Sequence, residues 1–105
     1  MGQKTHLAKL KTFKKELSKD IVVNEMILFG SRAWGKPNRY SDFDIIVVSS
    51  SFRKKKSLKR SLGFYKRWNL DYPVDFLCYT PEEFNKLKKE ITIVQKAVRE
   101  GIIIT

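Results

Sequence analysis

At 105 residues, with 42% hydrophobic and 31% charged residues, the chain suits one globular domain, 1–105, with a real core and no second lobe. That composition excludes an intrinsically disordered chain, and a single Cys with a single His excludes an internal disulfide and a metal site built from several cysteines and histidines. A net charge of +11 draws polyanions, so nucleic acid, nucleotide phosphates and acidic proteins are all admitted as partners, with solvated lysine faces as the alternative.

The N-terminus, Met1 to His6, has no apolar signal core, and His6 stands where a myristoylation motif carries Ser or Thr. The expected location is therefore cytoplasmic. Thr5 to Lys19 reads as an amphipathic helix, with Leu7, Leu10, Phe13 and Leu17 at helical spacing between lysines. Ile21 to Phe29 turns β-rich and stops at Gly30, which makes it a strand. Ser31 to Trp34 makes a single helical turn, and Gly35-Lys36-Pro37-Asn38 reads as loop. Phe43 to Ser49 is a second strand, apolar through Ile45, Ile46, Val47 and Val48. No apolar run in the chain reaches the length of a membrane span.

Ser49 to Lys56 reads as an exposed, basic loop. Leu58, Leu62, Tyr65 and Trp68 then recur at helical spacing, interrupted by Gly63, which predicts a helix over 57–68. Val74 to Tyr79 is a third strand. Thr80-Pro81-Glu82-Glu83 is a helix start, with Thr80 as N-cap, Pro81 at the first position and Glu83 closing a capping box. Phe84, Leu87 and Ile91 supply its buried stripe. Thr92 to Glu100 is a further helix resting on Val94, Ala97 and Val98, with Gly101 as C-cap, and Ile102 to Ile104 closes with a fourth strand. These elements predict an α/β (α+β) fold, a small mixed sheet with helices packed on one face. So small a sheet leaves an edge open, at which a homodimer can form.

The chemistry gathers around Gly30-Ser31 and Asp42-Phe43-Asp44. Gly30 ends a strand and Ser31 opens a turn of helix, so backbone N–H groups and a hydroxyl are presented where a phosphate can come close. Asp42 and Asp44 lie two apart on a strand, so both carboxylates leave the same face roughly 7 Å apart. Two such groups repel and are poor choices for stability, whereas Mg²⁺ selects carboxylate and phosphate oxygens. Two metal ions held there would clamp the attacking and leaving oxygens of a phosphoryl transfer. Asp75, inside the apolar run Val74 to Tyr79, is the third candidate; a strand-edge ion pair is its alternative. Arg32 and Arg39 are candidate triphosphate contacts or ordinary surface cations. Cys78 alternates away from Asp75 and is expected in the core, and His6 is expected to take no part.

Gly-Ser, ten intervening residues, then Asp-x-Asp resembles the signature of the DNA polymerase β-like nucleotidyltransferase superfamily, and the short chain resembles its minimal nucleotidyltransferase branch. The likeness extends over nearly the whole chain, including the run from Tyr79 to Phe84 and the ending from Ala97 to Gly101. It implies the family's αβ fold and Mg²⁺-dependent transfer of a nucleoside monophosphate, with ATP as substrate. Carried over by position, Gly30 and Ser31 meet the phosphates, with Arg32 a candidate nucleotide contact beside them, while Asp42, Asp44 and Asp75 form the metal triad for two Mg²⁺ ions. Trp34 departs from the pattern, standing where a smaller or basic side chain is expected. Three functions follow: AMP transfer to a partner protein, for which the resemblance points to a small all-helical HEPN-type toxin with this chain as its antitoxin; nucleotide addition to an RNA or DNA end; and a non-catalytic module that neutralises a toxin by contact.

Overall fold

The structure, a computed structural model, describes residues 3–34 and 42–105. The elements run α1 (Gln3–Leu17), β1 (Glu25–Phe29), α2 (Ser31–Trp34), β2 (Phe43–Val48), β3 (Val74–Tyr79), α3 (Pro81–Leu87), α4 (Ile93–Glu100) and β4 (Ile102–Ile103), with short 3₁₀ turns over Ser50–Lys54 and Ser57–Lys59. The strands form one mixed sheet in the order β3-β2-β1-β4. β1 is antiparallel to β2 and β4, and β2 is parallel to β3. The predicted mixed α/β sheet is present. Among the described residues no helix is long and apolar enough to cross a membrane.

The sheet is apolar on both faces because its central strands are apolar at every position. Residues of opposite parity in β1 and β2 therefore meet two separate cores. Met26, Leu28, Phe43, Ile45 and Val47 pack against Leu10, Phe13 and Leu17 of α1 and against Phe52, Phe64 and Leu70 of the long connection. Ile27, Phe29, Ile46 and Val48 pack against Phe84 of α3 and Val94 and Ala97 of α4. This corrects the expectation that helices cover one face only: runs such as Ile45 to Val48 bury both faces, so both must be covered.

Several local expectations also change. β1 begins at Glu25, not Ile21, because Asn24 leaves the strand register to cap the 3₁₀ turn, its side-chain oxygen accepting from the Ser50 N–H at 2.8 Å. The expected loop at Ser50–Lys54 is that turn, anchored by fully buried Phe52. The connection over 57–68 folds as successive i→i+3 turns rather than one helix, with Gly63 at φ +88°. Phe64 and Arg60 are buried and Trp68 packs against the core, whereas Leu58 and Leu62 are exposed and Tyr65, also exposed, rests edge-on against Phe76. Ile91 lies beyond the end of α3 and is exposed rather than part of its stripe. Gly101 ends α4 with extended backbone, not a left-handed cap. A Cβ there would sit 2.8 Å from the Leu28 carbonyl oxygen, so glycine is needed where the chain comes close to β1 before pairing as β4.

The α3 entry forms as predicted. The Thr80 hydroxyl accepts from the Glu83 N–H at 3.2 Å, and the Glu83 carboxylate accepts from the Thr80 N–H at 2.8 Å. The same carboxylate pairs with buried Arg60, whose guanidinium also donates to the Cys78 carbonyl. That ion pair ties the long connection to the C-terminal end of β3.

Candidate active site

β1 ends, and β2 and β3 begin, at one end of the sheet. The register there places Asp44 opposite Phe29 on β1 and opposite Asp75 on β3. Asp44 has the parity of Ile46 and Val48, and Asp75 that of Leu77 and Tyr79, so both project on the α3/α4 face. Asp42 immediately precedes β2 and is exposed, as is Asp75, while Asp44 is half-buried.

Gly30 follows β1 at φ +79°, a conformation that L side chains rarely adopt. A Cβ added there would lie 2.4 Å from the Asp44 Oδ2. The glycine bend is therefore also the seat of the carboxylate. Ser31 follows as the exposed first residue of α2, a single turn closed by the Ala33 N–H donating to the Gly30 carbonyl at 2.9 Å.

Burial, and then the carboxylates of Asp75 and Asp42, push the Asp44 carboxyl above the usual range. Asp75, from a separate part of the sequence, thus acts on Asp44 in space together with Asp42. Among the described residues no three acids, histidines or cysteines lie close enough to enclose a metal ion by themselves. The donor set is all carboxylate oxygen, partly open to solvent and beside exposed backbone. That is the kind of site in which Mg²⁺ retains waters and shares phosphate oxygens, so the residues fit a hard divalent cation bound together with a nucleotide.

Arg32 is not brought to the carboxylates. Its side chain is buried, with its guanidinium carbon 4.5 Å from the Phe43 ring centroid and 4.3 Å from that of Tyr72, on the α1 side of the sheet. His6 joins the same cluster, edge-on to Phe43 and Tyr72, and burial lowers its pKa. The structure thus gives His6 a packing role the sequence did not suggest. Cys78 also packs toward the α1-side core, and burial pushes its thiol up to about 12, which leaves it an unreactive thiol at neutral pH. Arg39, the loop at 35–38 and the Trp34 side chain lie outside the described residues.

Comparison with known proteins supports the family and the fold. A family model for the nucleotidyltransferase domain matches residues 7–99. A protein from Sulfolobus solfataricus assigned as a nucleotidyltransferase shares the fold, with a TM-score of 0.61 and 23% identity over 76% of this chain and 71% of its own. A second structure with the same assignment is 28% identical over 80% of this chain and 88% of its own, with a TM-score of 0.48. No curated protein matches significantly.

Proposed function

Since the chain belongs to the nucleotidyltransferase domain family, we propose that it transfers AMP from ATP to a hydroxyl of a partner protein, with Mg²⁺ held by Asp42, Asp44 and Asp75. The observation that carries this reading is the seating of Asp44 against Gly30, opposite Asp75 and within the field of Asp42.

The division of labour follows from exposure. Asp44, half-buried and held by the glycine bend, is the fixed member that orients the nucleotide's counter-ion. Asp42 is exposed at the strand entry and faces the incoming phosphates. Asp75, exposed on the edge strand, is the group open to an acceptor and takes its hydroxyl proton. The acceptor oxygen then bonds to the α-phosphorus, the bond from that phosphorus to the bridging oxygen breaks, and pyrophosphate leaves. Bound Mg²⁺ would supply charge neutralisation for the phosphates and the departing pyrophosphate. Gly30 and Ser31 present backbone and hydroxyl donors to the phosphates beside these acids, as the family pattern implies.

The resemblance to minimal nucleotidyltransferases supports a small helical HEPN-type protein as acceptor and an antitoxin role for this chain. A second reading, addition to an RNA or DNA end, is favoured by the +11 net charge. Incubation with α-labelled ATP and Mg²⁺, together with the protein encoded beside this one or with RNA, separates them. Label on protein that disappears in Asp42→Asn/Asp44→Asn supports the first; label on RNA supports the second. If the double variant still neutralises a toxin and no label transfers, the protein acts by contact and the transferase reading is wrong.

A further inference from the structure

The net charge is not spread over the fold. Residues 1–20 carry six Lys and two acids, and residues 53–71 carry eight Lys or Arg against the single acid Asp71. The remaining residues hold eight cations and eight acids, so these two segments account for the entire excess of +11. Phe64 and Leu70 of the second segment pack with α1 on one face of the sheet, while its Arg53 and Arg60 reach round the β3 edge to Glu82 and Glu83 of α3. Arg67 joins them, its guanidinium pairing with Asp20 and Glu16 of the α1 end. Lys54, Lys55, Lys56 and Lys59 are exposed and have no acidic partner among the described residues.

An apolar stripe runs through this basic layer. Buried Arg60 and Phe64 mark the inward side of the 57–68 connection, and Leu58, Leu62 and Tyr65 lie on its outward side, 94%, 70% and 55% exposed. Two nearly bare leucines at a spacing of four are costly to leave in water and are the feature of this face that solvated lysines do not explain. A separate groove of about 470 Å³ runs along the edge strand β3 between Ser57 and Arg60 on one side and Glu83, Lys86 and Glu90 of the α3 region on the other; its two acids make it no part of the basic face.

We propose that this face docks an acidic amphipathic helix of a second protein, its apolar ridge on Leu58, Leu62 and Tyr65 and its carboxylates on Lys54, Lys55, Lys56 and Lys59. Leu58, Leu62 and Tyr65 are exposed within one short run of i→i+3 turns, so a single apolar ridge of a partner helix can lie along all three. Charge selects among occupants. A second copy of the chain would set one lysine run against another, and like charges across an interface are unfavourable. Nucleic acid would satisfy the lysines but would leave the leucines wet beneath a phosphate backbone. A helix with acidic flanks satisfies both. The inference is independent of the transferase reading, because Asp42, Asp44 and Asp75 take no part in it.

The test uses a synthetic helical peptide with leucines at i, i+4 and i+7 and glutamates on its flanks, titrated into the ¹⁵N-labelled chain. Shifts are expected to concentrate in residues 54–66. Leu58→Ser/Leu62→Ser should weaken binding at least about tenfold, since it removes two apolar contacts without touching the core. Lys55→Glu/Lys59→Glu should weaken it and remove its salt dependence, which gives an independent arm should the serine variant fold poorly. Asp44→Asn should bind like the wild type. The proposal is overturned if the peptide does not bind, if its lysine-flanked counterpart binds equally well, or if the shifts map elsewhere. It is overturned too if an RNA oligonucleotide occupies the same residues regardless of the leucine changes, or if the free chain self-associates through this stripe.

Discussion

The parallel pair β2 and β3 has two ends that treat charge in opposite ways. At the far end, where β3 passes into α3, Glu83 meets buried Arg60 and closes the Thr80 capping box, so each charge and donor has its complement. Arg60 holds the Glu83 carboxyl below the usual range. At the near end, Asp44 and Asp75 stand opposite each other with Asp42 beside them, and burial with those like charges raises the Asp44 carboxyl. One end is arranged for the stability of the chain alone. The other gathers like charges with no complement among the described residues, as the proposed cation and nucleotide site requires.

The sharpest way to break this contrast is at Asp44. Asp44→Asn is expected to lower nucleotidyl transfer by at least about 10²-fold, because a charge aligned on the reacting phosphates is lost. It should also raise the Tm in the absence of metal, since a half-buried carboxylate repelled by its neighbours is gone. Thermal unfolding and labelled-ATP transfer on the same preparation check both; a lower Tm together with normal transfer would contradict the assignment. Gly30→Ala comes next. It forces an alanine to φ +79°, at a cost of about 1 kcal/mol, and drives its Cβ into the Asp44 carboxylate. Misplacing that group should reduce transfer by up to about 10²-fold, more than the stability change accounts for, as kcat against Tm will show.

At the paired end the outcome reverses. Glu83→Gln leaves buried Arg60 without its charge partner and weakens the cap, so a loss of about 2 kcal/mol is expected while transfer by the folded protein is unchanged. The pH dependence carries the signs. Glu83, with a lowered folded value, contributes stability that is present above its unfolded value and disappears as pH falls through the folded one. Asp44, with a raised folded value, costs stability as pH rises through the window between its unfolded and folded values. Denaturation at neutral pH should therefore place Glu83→Gln below the wild type and Asp44→Asn above it, and in strong acid both differences should vanish. The smallest effect is expected from Arg53→Ala. It removes a bidentate but exposed pair with Glu82 and should change stability by no more than about 0.5 kcal/mol by urea denaturation.

Much of this was legible in the sequence, for identifiable reasons. The strands at Phe43–Val48 and Val74–Tyr79 and the Thr80 capping box follow from short-range patterns, and the structure keeps them within a residue. The acids were legible because carboxylates interrupt apolar strands, an anomaly that alternation makes visible. What alternation cannot reveal is which strands are neighbours. That Asp75 faces Asp44 depends on the parallel β2/β3 pairing, and the glycine's second role depends on the space that Asp44 fills. Arg32 reads as a triphosphate contact or a surface cation from its place beside Ser31, yet it is buried on the other face over Phe43 and Tyr72, because a helical residue one position on points elsewhere. The 57–68 segment departs furthest from its pattern. Its leucines have helical period, but Phe64 and Arg60 have the same period half a turn away, and the partners Phe76 and Glu83 decide between them.

The claim on which the rest depends is that a divalent cation and a nucleotide meet at the Gly30 corner. Titration of Mn²⁺ and a non-hydrolysable ATP analogue into the ¹⁵N-labelled chain tests it through paramagnetic broadening of individual amides. The account predicts selective loss of the Gly30, Ser31, Asp42, Asp44 and Asp75 signals in the wild type and their retention in Asp44→Asn. Sharp signals at that corner in the wild type, or broadening that survives Asp44→Asn, would contradict it.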